Sequence, residues 1–143
     1  MADVSNAPNS MLAELSRFGW TFFRFDGRLG REVYWLSTFF LVALVGMTLE
    51  VVPDPETGGF VPAFSPFGGL VVGISFFSSF AIAIKRLHDV NMPGWFAVVL
   101  VIPVLSVAFT LGLGLPRGTQ GPNRFGPAAD IMPEPYLPDG PPN

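Results

Sequence analysis

The chain has 143 residues, of which 50% are hydrophobic and only 13% charged, and its formal net charge is −3. A soluble domain carries roughly a quarter charged residues to cover its surface, so this composition excludes an ordinary water-soluble fold. The chain has no cysteine, which removes disulfides, thiol nucleophiles and Cys-based metal sites, and it has no clustered basic face for nucleic acid.

In chain order, residues 1–10 read as a disordered lead. Over residues 11–25 the apolar Met11, Leu15, Phe18, Phe22 and Phe25 recur at helical spacing, while Glu14, Arg17, Thr21 and Arg24 fall on another side. That pattern predicts an amphipathic helix lying in the membrane interface. A core-packed helix of a soluble domain is the other reading, but too little soluble chain exists to build such a domain. Asp26 to Arg31 then form a glycine-punctuated basic turn. Residues 33–52 make the first apolar block, opened by Tyr34 and Trp35, which suit the headgroup level. This block is longer than a signal-peptide core and lacks a small-x-small cleavage pattern, so it reads as a span.

Residues 53–66 contain Pro53, Pro55, Pro62 and Pro66 and cannot be helical throughout. Residues 67–84 hold no ionisable side chain and form the second block. In it Gly69, Gly73, Ser75, Ser79 and Ala83 make a stripe of small residues suited to close helix packing. Lys85 to Asp89 close this block, and residues 94–115 make the third, opened by Trp95 and kinked at Pro103. Residues 116–127 form a glycine-rich motif turn, and residues 128–143 a flexible Pro-rich tail. The expected fold is therefore an all-α membrane protein, with three transmembrane helices preceded by an N-terminal amphipathic interfacial helix. Its membrane domain covers residues 11–127. Each block is close to the roughly 20 residues that cross a hydrocarbon core.

The basic residues set the expected orientation. Arg17, Arg24, Arg28 and Arg31 precede the first block, and Lys85 and Arg86 follow the second. Three full spans put these six on the cytoplasmic side, with Arg117, Arg124 and the C-terminus in the periplasm. A second reading makes the third block a re-entrant hairpin turning at Pro103. The tail then returns to the cytoplasm, and the backbone of the hairpin must be shielded by protein.

Three ordered motifs carry a family resemblance. The first is F-x-G-R-x-x-R-x-x-Y-W, at Phe25, Gly27, Arg28, Arg31, Tyr34 and Trp35. The second is R-L-H-D followed by G-W, at Arg86, Leu87, His88, Asp89, Gly94 and Trp95. The third is G-x-N-R-F-G, at Gly121, Asn123, Arg124, Phe125 and Gly126. With apolar blocks between them, they resemble the domain of unknown function 805 family of small bacterial inner-membrane proteins, over about residues 18–127. Arg117 is an extra residue in the usual P-G-T run, and the 53–66 connector is long. The resemblance implies an inner-membrane location and no activity.

The inventory for catalysis is poor: one histidine, no metal-ligand spacing and no nucleophile elbow or phosphate loop. The chain is expected to be no enzyme and to need no cofactor or metal. Arg28, Arg31, Tyr34, Trp35, Arg86, His88, Asp89, Trp95, Asn123 and Arg124 form the candidate polar or lipid-facing cluster. Arg86 and Asp89 are spaced to pair at i,i+3. Arg28 is expected to pair near Tyr34, and Lys85 to be an orientation charge that arginine replaces silently. Three functions stay open: a structural or accessory protein that assembles with itself or a larger complex, an interfacial binder of anionic lipid or a small amphipathic ligand, and an oligomeric transporter or channel.

Overall fold

The computed structural model describes residues 7–133. The first six residues of the expected lead and residues 134–143 of the expected tail lie outside the described residues. In chain order the elements are α1 (Ala7–Phe23), α2 (Arg31–Gly46), strands β1 (Leu49–Pro53) and β2 (Phe60–Phe64), α3 (Pro66–Asp89), a 3-10 helix (Gly94–Val101) and α4 (Pro103–Gly114). α1 thus begins within the expected lead.

The axis of the molecule is α3. Its 24 residues rise about 36 Å, and it is the one described helix long and apolar enough to cross a membrane alone. Its ends are written in the sequence. Ser65 Oγ accepts the Gly68 N–H at 3.1 Å, and Pro66 takes the first helical turn, where a missing N–H is harmless. At the other end Asn91 adopts φ 60°. The Met92 N–H then returns to Leu87 O at 2.8 Å and the Asn91 N–H to His88 O at 3.0 Å, a closed Schellman turn.

α2 runs antiparallel beside α3. The Leu29 N–H donates to Lys85 O at 3.1 Å at one end, and Gly68 packs against Thr48 at the other. The helix expected to reach residue 52 stops at Gly46, where Thr48 Oγ1 donates to Val45 O at 2.8 Å. The following residues pair instead as an antiparallel hairpin, from Leu49 opposite Phe64 to Pro53 opposite Phe60. The expected all-α class is corrected here. Thr48, Val51 and Val52 are β-branched, and Pro53 ends any helix, so this stretch favours extended backbone. In the turn the Asp54 carboxylate accepts Thr57 Oγ1 at 2.5 Å and the Glu56 N–H at 3.0 Å. These bonds, the Thr57 hydroxyl first, hold its pKa below the usual range.

The through-going helix expected over residues 94–115 does not form. Ile102 is extended, at φ −95° and ψ 108°, immediately before Pro103. Proline pushes its predecessor out of the helical region and offers no N–H to continue the ladder. The 3-10 helix of 8 residues spans about 16 Å at its steeper rise, and α4 with 12 residues about 18 Å. Both outer ends return to the C-terminal end of α3. Gly94 lies against Ile84 and His88. Arg86 Nε donates to Leu113 O at 2.9 Å, and Trp35 Nε1 to Gly114 O at 3.1 Å. The third block thus runs out from the C-terminal end of α3, turns at Pro103 and returns to the same end.

Burial is inverted relative to a soluble fold. Arg28, Lys85, Arg86 and Asp89 are all at most 2% exposed, whereas Leu36, Phe39, Phe67, Leu70, Val104 and Val107 point outward. In α1, Trp20 and Phe22 are buried while Met11, Leu12 and Leu15 are exposed. Phe22 packs on Phe40 of α2 with ring centroids 5.5 Å apart.

Candidate functional site: a polar lock at the end of α3

Asp89, in the last turn of α3, is held by two guanidinium groups. Arg86, one turn earlier, places Nη1 2.5 Å from Oδ2. Arg28 reaches across from the turn before α2 and gives Nε and Nη2 to Oδ1 at 3.2 and 3.0 Å. A buried charge is tolerated when it is paired and its remaining hydrogen-bonding capacity is met. Here that condition is satisfied almost completely. Arg28 also donates Nη1 to Gly121 O at 2.6 Å and to Gly126 O at 3.2 Å, and Nη2 to Thr119 O at 2.5 Å. All three of its nitrogens, carrying the five N–H donors of a guanidinium, are engaged. Arg86 donates Nε to Leu113 O, Nη1 to Leu29 O at 3.4 Å and Nη2 to Pro116 O.

These bonds explain how residues 115–126 hold their turns with only one short bridge of their own, between Asn123 and Gly126. The carbonyls of Pro116, Thr119, Gly121 and Gly126 converge on two fixed cations. The Thr119 N–H adds a bond to Asp89 O at 2.8 Å. Gly118 passes so close that a Cβ there would run into the Asp89 carboxylate. Asn123 ties the far side, with Nδ2 donating to His88 O at 2.9 Å and Oδ1 accepting the Phe125 N–H at 2.9 Å. The His88 ring stacks on Phe125 at 3.9 Å, and its Nδ1 lies 3.1 Å from Gly27 O. A carbonyl only accepts, so that nitrogen carries the proton. Arg124 sits over Phe125 at 4.6 Å and donates to Asn91 O at 3.1 Å.

The structure therefore brings together Arg28, Arg86, His88, Asp89, Asn123 and Arg124 from the candidate cluster. Tyr34 and Trp35 flank it, bonding Thr110 O at 2.9 Å and Gly114 O at 3.1 Å. Arg31 and Trp95 are exposed and outside the lock. Arg28 pairs with Asp89, 61 residues away, and not with a group near Tyr34.

Two residues were missed by sequence reasoning. Lys85, expected to be an orientation charge, is fully buried. Its Nζ donates to Trp20 O and to Thr21 O at 2.6 Å, and it stands 4.5 Å over the Trp20 ring, thereby capping the C-terminal end of α1. Asp130 lies in the stretch expected to be a flexible tail. Its Oδ1 accepts the Gly30 N–H at 2.7 Å, and its own N–H donates to Arg28 O at 3.0 Å. An anion is thus placed at the N-terminal end of α2, where the helix dipole favours one. Neither role leaves a local signature, because both partners are distant backbone carbonyls or amides.

Residues 22–127 match the family described as "Protein of unknown function (DUF805)". Among curated relatives, the chain is similar to the inner membrane protein YhaH of Escherichia coli K12. The two are 30% identical over 114 residues, covering 76% of this chain and 89% of the relative. It is also similar to the inner membrane protein YhaI of the same organism, 32% identical over 102 residues, covering 71% of this chain and 82% of the relative. No solved structure matches.

Proposed function

The chain belongs to the DUF805 family of proteins of unknown function, and from that premise we propose that it is a non-catalytic inner-membrane protein that assembles with itself or with a larger membrane complex. The relatives' names support the location. So does the inverted burial, since exposed apolar helices around buried charges suit a hydrocarbon solvent. In this reading α3 crosses the bilayer, the shorter α2 crosses beside it with the chain leading into β1 completing the passage, the third block is a re-entrant hairpin, and α1 lies at the interface. The whole set of eight Lys and Arg residues then falls on one side. The opposite hairpin of β1 and β2 carries only Glu50, Asp54 and Glu56. That asymmetry supports a cytoplasmic side for the lock, the N-terminus and the tail.

The observation that carries the functional reading is the saturation of the lock. Arg28, Arg86 and Asp89 spend their hydrogen-bonding groups on the chain itself, and His88 spends its Nδ1. Such a cluster holds a fold and leaves little to grip an anionic headgroup, which disfavours the interfacial lipid binder. Solubilisation in mild detergent, followed by measurement of native mass and composition, tests it. Recovery with a stoichiometric protein partner, or as a defined homo-oligomer, is expected. Recovery as a monomer with no protein partner contradicts it.

A further inference from the structure

The hairpin of β1 and β2 has one blocked edge and one open edge. In an antiparallel ladder the backbone groups of successive residues point alternately toward the partner strand and away from it. The Asp54 N–H donates to Gly59 O at 2.8 Å. Glu50 and Val52 therefore turn their N–H and C=O groups toward β2, and Leu49, Val51 and Pro53 turn theirs outward. The pairing of Val51 with Pro62 fits this phase, since proline has no N–H to give to a ladder. Pro62 thus interrupts the outer edge of β2 at its centre, which blunts that edge. On β1 the proline stands at the end. Leu49 and Val51 keep outward donors and acceptors, and no backbone bond from elsewhere in the described residues reaches them. Two strands of five residues are marginal alone, and further strands stabilise such a sheet.

The shape of the hairpin selects a second copy of the chain as the added strand. Paired residues share a face, so Leu49, Val51, Pro53, Phe60, Pro62 and Phe64 make one face that is wholly apolar and exposed. Resting on the bilayer, that face lays the sheet flat on the membrane surface. Two copies inserted the same way in one membrane are related by a two-fold axis along the bilayer normal. The two-fold axis between paired antiparallel strands is perpendicular to their sheet, so in a flat sheet the two axes coincide. The edge of β1 then meets the same edge of a second copy with no tilt of either chain. Charge fixes the register. With Val51 on the axis, the two Val51 residues exchange N–H···O=C bonds, each Leu49 N–H meets a Pro53 C=O, and Glu50 lies opposite Val52. A register centred on Glu50 makes as many bonds but sets two carboxylates directly opposite each other, which is unfavourable.

We infer that the β1 edges of two copies pair about Val51 into one continuous sheet at the outer membrane surface, and that this is the contact through which the chain assembles with itself. The inference rests on the membrane and self-assembly reading above. The absence of cysteine allows a test with introduced cysteines in the full chain, oxidised in native membranes. Directly opposed residues of a hydrogen-bonded pair have Cα atoms about 5.5 Å apart, within disulfide reach, so Val51→Cys should give a covalent dimer. Phe60→Cys, equally exposed at 73% against 69% but on the blocked strand, should give none. Glu50→Cys expressed with Val52→Cys should cross-link where Glu50→Cys alone does not, which reads the register. Val51→Pro removes an outward N–H and no bond within the hairpin, and it should halve the native mass in mild detergent. No cross-link at position 51, equal cross-linking at 51 and 60, or an unchanged mass for Val51→Pro overturns the inference. If the wild-type chain is then still a defined homo-oligomer, only the edge contact is wrong. If it is a monomer with no protein partner, the assembly reading falls as well.

Discussion

At the scale of single residues, geometry separates charge from shape. Lysine preserves the charge of arginine but has three donors on a flexible stem in place of a planar fork. Arg28→Lys and Arg86→Lys should each strand buried carbonyls, at about 1–3 kcal/mol per unpaired group. Asp89→Asn should cost more, about 3–5 kcal/mol, because two buried cations lose their counter-charge. Thermal unfolding in detergent should show all three losses, and Arg28→Lys combined with Asp89→Asn should cost less than their sum. Strict additivity would mean that the two side chains do not act as a unit. Lys85→Arg, which charge alone would leave silent, should lower stability by about 1–3 kcal/mol through overpacking of a closed site. A melting temperature equal to wild type contradicts the burial of Lys85. The i,i+3 pair of Arg86 and Asp89 was legible from spacing. Arg28's link to Asp89 was not, because a pairing across 61 residues has no periodicity to reveal it.

At the scale of elements, the long apolar blocks and their breaks were legible, and the states of the breaks were less so. Pro103 was expected to kink a helix. It turns the chain back because the residue before it is extended and the preceding segment is a short 3-10 helix. The hairpin of β1 and β2 was hidden by the apolar run through Val52, which reads equally as helix end or strand. The end of α3 provides a sharper test. Asn91 occupies the left-handed region, which glycine tolerates and a β-branched residue does not. Asn91→Gly should leave the melting temperature nearly unchanged, while Asn91→Val should cost about 1–2 kcal/mol. Equal tolerance of both would mean that α3 does not end in this turn.

At the scale of the whole molecule, composition alone pointed to a membrane protein, and three motifs pointed to the family that the match over residues 22–127 establishes. The path of the third block was decided by contacts that no local pattern contains: Arg86 with Leu113 and Pro116, and Trp35 with Gly114. These place the far end of α4 beside the C-terminal end of α3, and they gather Arg117 and Arg124 onto the side of the other six basic residues. The absence of cysteine makes the consequence directly measurable. Single cysteines at Gly58, in the hairpin turn, and at Gln120, in the loop held by Arg28, can be challenged in intact cells with a membrane-impermeant thiol reagent. The cysteine at Gly58 should label from outside, and the one at Gln120 should label only after the inner membrane is opened. Labelling of both in intact cells would put the ends of the third block on opposite sides and contradict the re-entrant hairpin.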